Sequence, residues 1–282
     1  MESTAPTQPA PATDMSATGT RPMRVIIADA SELGRERLRA AVLLAEPHAE
    51  IEISDDARDT ERALISNWFD LAFIDMRLPG GGADTVSRVK AAGCPSLLAM
   101  TVPLVGPSSV DAGRKAGAFD VLCKPVEEAE IAALIRTLRR MARPMTALIV
   151  SQSEATREVV YSMLETARFS LDILEAEDWT GTQKALASGS LDLILLDFDV
   201  KKIDALELLC RTQKTHPEIP VLMMQALDQP TRAQAARYFG ARGILKKPFF
   251  APDLDRALFD AWSLAYPAIG FNPAAKAARR AA

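Results

Sequence analysis

Short apolar runs that stop at one polar residue recur along the chain. RVIIAD ends at Asp29, LAFID at Asp75, SLLAMT at Thr101 and FDVLCK at Lys124. Runs this short, rich in β-branched residues and apolar at nearly every position, predict strands buried on both faces. Between them the period lengthens. Glu32–Ala45 places Leu33, Leu38, Ala41 and Leu44 along one side of a helix, and Ile131, Leu134, Ile135 and Leu138 follow helical spacing after Pro125. Alternating strands and helices predict an α/β fold with a parallel sheet covered on both faces.

The pattern then repeats. TALIVS, LDLILLD, IPVLMMQ and RGILKK follow the first set in order: Ser151 lies 122 positions after Asp29, Asp197 122 after Asp75, Gln225 124 after Thr101 and Lys247 123 after Lys124. Arg35 and Arg157 keep the same spacing of 122. This period is far longer than the roughly 20–50 residues of a solenoid repeat and indicates a duplicated domain. The expected division is a leader at 1–22, a first domain at 23–143, a second at 144–267 and a flexible tail at 268–282, with a short junction at Arg143-Pro144.

Composition removes several classes of function. With 33 Lys and Arg against 37 Asp and Glu, the formal charge of -4 supplies no basic field for a nucleic acid. Cys94, Cys123 and Cys210 lack CxxC spacing and are joined only by His48 and His216, which argues against a zinc site and for reduced, mostly buried thiols. The leader is rich in Pro, Thr, Ala and Ser and lacks the basic start and apolar run of a secretory signal. Ala91–Val110 is uncharged for 20 residues, but Gly93, Pro95, Pro103, Gly106 and Pro107 break it into a strand and a loop. A cytoplasmic protein with no membrane partner is expected.

In a doubly wound sheet the functional crevice lies at the carboxyl ends of the strands. Those ends bring Asp29, Asp75, Thr101 and Lys124 to one rim. Two carboxylates can hold a hard cation such as Mg2+, a hydroxyl can bond a phosphoryl oxygen, and a lysine can neutralise the arriving charge. The implied chemistry is phosphoryl transfer onto a carboxylate.

Asp75-Met76-Arg77-Leu78-Pro79-Gly80, with Thr101 and Lys124-Pro125 at their spacings, resembles the receiver domain of bacterial response regulators. The resemblance covers Met23 to Met141 and again Met145 to about Ala265. It implies two tandem flavodoxin-like domains, each a five-stranded parallel sheet flanked by helices. It further implies that Asp75 accepts phosphate from a histidine kinase or phosphotransfer protein. Asp29, Asp75 and the backbone carbonyl of Arg77 would hold Mg2+, while Thr101 and Lys124 contact the phosphoryl group and relay the change to a surface made by the last helices and strand.

The departures from that pattern carry expectations of their own. Ala30 stands where the family has a second acid, so Mg2+ should bind weakly; a one-residue slip would make Asp29 the second acid and Ala28 the missing first. Val121 replaces the usual aromatic switch residue. The loop Val102-Pro103-Leu104-Val105 is unusually apolar, which makes Leu104 and Val105 candidates for an interface. In the second domain Ser151-Gln152 lacks both acids, Gln225 replaces the hydroxyl, Lys201-Lys202 replace a Pro-Gly pair and Ile244 replaces the aromatic. Asp197 and Lys247-Pro248 remain, so Asp197, Gln225 and Lys247 read as a degenerate site in which Lys201, Lys202 or Lys247 pairs with Asp197.

The leading reading is therefore a tandem-receiver response regulator, not an enzyme. It is phosphorylated on Asp75 in a two-component phosphorelay and signals to a downstream protein, without a DNA-binding output domain. Self-association as a homodimer is compatible with it. The alternative is a phosphorylation-independent adaptor of two pseudo-receivers. A hydrolase built on Asp197 and Asp199 is a third reading that would require turnover of phosphate esters. Gly80-Gly81-Gly82 lacks phosphate-loop spacing and reads as a turn.

Overall fold

The computed structural model describes residues 21–189, 191–226 and 230–271. The first unit comprises β1 (Arg24–Ala28), α1 (Glu32–Ala45), β2 (Glu50–Ser54), α2 (Ala57–Ser66), β3 (Leu71–Asp75), α3 (Gly82–Ala91), β4 (Leu97–Val102), α4 (Pro107–Ala116), β5 (Asp120–Cys123) and α5 (Glu128–Ala142). The second comprises β6 (Met145–Val150), α6 (Glu154–Glu165), β7 (Leu171–Ala176), α7 (Trp179–Ala187), β8 (Leu191–Asp197), α8 (Ala205–Thr215), β9 (Val221–Gln225), α9 (Pro230–Tyr238), β10 (Gly243–Lys246) and α10 (Ala251–Ala261). Both sheets are parallel, ordered β2-β1-β3-β4-β5 and β7-β6-β8-β9-β10. This is the doubly wound plan expected, present twice.

β3 and β4 are buried at every position because helices cover both faces of the sheet. β2 is one of the two edge strands, and its sequence EIEIS alternates instead of forming an apolar run. Helix starts are set by side-chain caps: Ser31 accepts from Gly34 N at 3.2 Å, Asp56 from Asp59 N at 2.9 Å and Ser153 from Thr156 N at 3.2 Å. α5 buries Ile131, Leu134, Ile135 and Leu138 as its spacing predicts. α1 departs from expectation. It buries Leu38 and Val42 and packs Ala41 and Ala45 beside them, whereas Leu33 and Leu44 face solvent. The inward stripe is the i, i+3, i+4, i+7 set that starts at Leu38, and the two outer leucines fall off it.

α5 ends at Ala142 and β6 starts at Met145, so the two units meet almost without a linker. Arg143 reaches Asp192 at 2.5 Å, and the Trp262 indole N–H donates to the Asp192 carbonyl at 3.1 Å. Arg140 lies 4.6 Å from the Trp262 ring centroid. One continuous apolar cluster runs from Leu38, Phe119 and Ile135 through Met145 to Phe169 and Phe259, joining the two units.

The expected tail boundary is corrected here. Ile269 is 1% exposed and belongs to a core cluster of the first unit, so the chain stays packed beyond 268 because an aliphatic side chain finds an apolar groove there. Positions 272–282 of that tail and 1–20 of the leader lie outside the described residues. Among the described residues, no helix is long and apolar enough to cross a membrane.

Candidate functional site

The carboxyl ends of β1, β3, β4 and β5 meet at one rim of the first sheet. Lys124 sits between two carboxylates, its Nζ donating to Asp29 Oδ2 at 2.5 Å and to Asp75 Oδ2 at 2.6 Å. The second oxygen of each acid is taken by backbone: Ser31 N donates to Asp29 Oδ1 and Arg77 N to Asp75 Oδ1, each at 2.9 Å. Both carboxylates are almost fully buried, while the lysine keeps a partly exposed side chain. The group opens into a cleft of about 560 Å3 that is also lined by Ala30, Arg37 and Arg77.

Two glycines make this approach possible. A Cβ on Gly34 would lie 2.5 Å from Asp29 Oδ2, and one on Gly82 would lie 1.9 Å from the Asp75 carbonyl oxygen. A side chain at Gly34 would displace the Asp29 carboxylate, and one at Gly82 would collide with the backbone of Asp75 and Met76. Gly80 and Gly81, at φ of 89° and 97°, make the turn that leads into α3.

Thr101 stands opposite Asp75 in the β3–β4 ladder. It is fully buried, and its Oγ1 has no hydrogen-bond partner. A buried hydroxyl in that condition is disfavoured unless another ligand sometimes completes it. The family-implied Mg2+ can be tested against these atoms. Two converging carboxylates, waters and a phosphoryl oxygen suit a cation that rarely uses an all-protein cage, so the first site fits it. Ala30 adds no side-chain oxygen.

Asp29 shares Lys124 with Asp75, while Ala28 packs into the core on the other face of the sheet and Ala30 occupies the next position.

The second site repeats the frame with different chemistry. Ser151 Oγ donates to Asp197 Oδ2 at 2.8 Å and Lys247 Nζ donates to the same oxygen at 2.5 Å. Arg35 bonds the carbonyl of Asp29 and Arg157 that of Ser151, which confirms the pairing of these positions. Lys247 is the lysine that pairs with Asp197. Lys201 and Lys202 instead reach Glu177 and Asp178, both at 2.8 Å. A single carboxylate facing a hydroxyl and an ammonium is a poor seat for Mg2+.

The residue in the place of Thr101 also needs correction. Asp197 pairs with Met224, not Gln225, and Phe198 N bonds Met224 O as Met76 N bonds Thr101 O. Strand alternation sends Gln225 to the opposite face, where Val102 is its counterpart. The second site thus holds a thioether where the first has a hydroxyl. Of the interface candidates, Leu104 is 77% exposed, whereas Val105 packs against the core.

The family model described as response regulator receiver domain matches this chain twice, over residues 25–136 and 147–259. The response regulator MprA of Mycolicibacterium vanbaalenii is 28% identical over 111 residues, covering 39% of this chain and 47% of the relative. MprA of a Mycobacterium species is 27% identical over the same length and with the same coverage. The chain spans about half the length of these curated relatives. Two solved structures described as two-component system response regulator/GGDEF domain proteins match 86% of this chain and 98% of their own, with TM-scores of 0.59 and 0.60 and identities of 17% and 16%. At that identity the likeness is one of fold.

Proposed function

Because the chain belongs to the response regulator receiver domain family, we propose that its first receiver is phosphorylated on Asp75 and its second is a fixed, non-phosphorylated interaction domain. The pair would act in a two-component phosphorelay, taking phosphate from a histidine kinase or phosphotransfer protein and signalling by protein contact. The observation that carries this reading is the asymmetry between the sites. Asp75 faces a second carboxylate and a buried hydroxyl without a partner, whereas Asp197 faces Ser151 and Met224.

In the reaction, a carboxylate oxygen of Asp75 attacks phosphorus while the bond from phosphorus to the donor's imidazole nitrogen breaks, and the imidazole keeps that electron pair. Lys124 remains protonated and moves its hydrogen bond from the carboxylate to the phosphoryl group. Thr101 donates its free hydroxyl to a phosphoryl oxygen. Mg2+, held by Asp29, Asp75 and the Arg77 carbonyl, supplies positive charge to those oxygens when bound. With Ala30 in place of an acid, that binding is weak.

Ala30 also favours a second reading, a phosphorylation-independent adaptor. One experiment separates the two. Intact-mass measurement after incubation with a small phosphodonor and Mg2+ should show one labile phosphoryl adduct, lost in Asp75→Asn and kept in Asp197→Asn. No adduct on the folded wild type would favour the adaptor, and an adduct surviving Asp75→Asn would move the acceptor elsewhere.

A further inference from the structure

The segment after α10 crosses back to the first receiver, 148 to 155 positions away in sequence, and is bound there by its backbone. Ala268 N donates to Asp120 Oδ1 at 2.7 Å. The Ile269 carbonyl accepts two bonds from Arg114, from Nε at 3.2 Å and Nη2 at 2.7 Å. The Gly270 carbonyl accepts from Arg168 Nη2 at 2.7 Å, and Gly270 N closes a turn onto the Pro267 carbonyl at 2.9 Å with φ of 74°. The Ile269 side chain fills an apolar groove between α4 and β5, in the cluster that contains Ala118 and Val121.

The groove is cut to this shape. A Cβ on Gly113 would lie 2.5 Å from Val121 Cγ2 and 3.3 Å from Ile269 Cδ1, so a side chain at that position would crowd the space that Ile269 enters. The duplicated domain serves as an internal control. Ala118 N bonds Gly113 O as Ala241 N bonds Ala236 O, which makes Ala236 the counterpart of Gly113. Strand register makes Gly243 the counterpart of Asp120. The second receiver therefore carries a methyl group where the first has none and has no carboxylate in the place of Asp120, so the docking surface belongs to the first alone.

We propose that the α4–β5 groove of the first receiver is a peptide-binding site for a turn with one aliphatic side chain and two exposed carbonyls, and that the chain's own Pro267–Gly270 is its resident ligand. Attachment rests on the buried Pro267 and Ile269 side chains and a few backbone contacts, with no strand or helix pairing. It is maintained by the high effective concentration of a tethered ligand, so the same sequence offered from outside competes only when the tethered copy is weakened. While the segment is seated, the face made by Gly113, Ala118 and Val121 is closed to other proteins. Arg168 ties this occupancy to the second receiver: it bonds Asp255 at 2.8 Å and lies 5.5 Å from the ring centroids of Phe119 and Tyr266.

The test uses the full chain and a labelled peptide of sequence YPAIGF, residues 266–271. Ile269→Ser should raise amide hydrogen exchange over 113–123 and 267–270 by about tenfold or more, and should bind the peptide at least about tenfold more tightly than wild type does. Arg114→Gln, which keeps the apolar anchor, should raise the same exchange even if Ile269→Ser fails to fold. Adding Arg114→Gln to a folded Ile269→Ser chain should weaken peptide capture. Unchanged exchange in either folded variant, equal peptide binding by wild type and Ile269→Ser, or no binding by the opened variant at millimolar peptide would each overturn the proposal.

Discussion

Thr101 stands opposite Asp75 across the β3–β4 ladder with its buried hydroxyl unpaired. An unsatisfied buried hydroxyl lowers stability, so Thr101→Val, which keeps the shape and removes the oxygen, should stabilise the unphosphorylated chain by about 1 kcal/mol. The same variant should form the Asp75 adduct more slowly. Urea melts and an intact-mass time course measure the two effects, and a destabilised variant would mean that the hydroxyl already has a partner.

Restoring an acid at the cleft should act in the opposite direction on the metal. Ala30→Asp adds a carboxylate beside Asp29, which should tighten Mg2+ binding and speed adduct formation. Titration calorimetry gives the first and intact mass the second. Unchanged affinity in a folded variant would show that position 30 does not face the ion.

In the second receiver, Lys247 is the cation on Asp197, whose side chain is 1% exposed. Lys247→Met leaves a buried carboxylate with only the Ser151 hydroxyl and the Asp199 amide, and should cost about 2–4 kcal/mol. The double variant Asp197→Asn with Lys247→Met should recover most of that loss, because charge and countercharge leave together. Denaturant melts of the three variants decide it; equal stability of the single and double variants would mean that the carboxylate is solvated.

These contrasts also show what could be read from the chain alone. Strands covered on both faces announce themselves as apolar runs, so β1, β3, β4, β5 and their repeats are legible. β2 is not, since an edge strand such as EIEIS alternates and resembles a polar segment. Asp29, Asp75, Thr101 and Lys124 are legible because strand ends deliver them to one rim. Met224 was hidden by a one-residue ambiguity: Gln225 is the polar residue at the end of its run, yet its spacing of 124 from Thr101 exceeds the 122 and 123 found elsewhere. The docking of Ile269 left no periodic trace. It depends on a groove whose shape is set by Gly113, far away in sequence.

The loop after β4 separates into two roles. Leu104 is 77% exposed, so Leu104→Ser should change stability by less than about 0.5 kcal/mol. Val105 packs against the core, and Val105→Ser should cost about 1–2 kcal/mol. If the loop contacts another protein or a second copy, Leu104→Ser alone will weaken association in sedimentation or pull-down while the melt stays unchanged. Association untouched by Leu104→Ser would place the interface elsewhere.

Asp120 gives the docked segment a pH signature. Burial pushes its carboxyl up to about 6, opposed by the N–H groups of Val121 and Ala268 and by the charge of Arg168, while Glu130 pushes it further up. A carboxyl raised in the native state holds its proton more tightly than in the unfolded chain. The stability this contributes is full below about pH 4 and is lost as the pH rises through about 6. The loss amounts to about 3 kcal/mol, at 1.4 kcal/mol per unit. Asp120→Asn cannot ionise, so its stability relative to wild type should increase across that window and level off above it. Ile269→Ser should shrink the effect, because water reaches the carboxylate once the segment lifts. Urea melts from pH 4 to 8 on the three chains test both statements, and a difference between wild type and Asp120→Asn that does not change with pH would show that the carboxyl titrates normally.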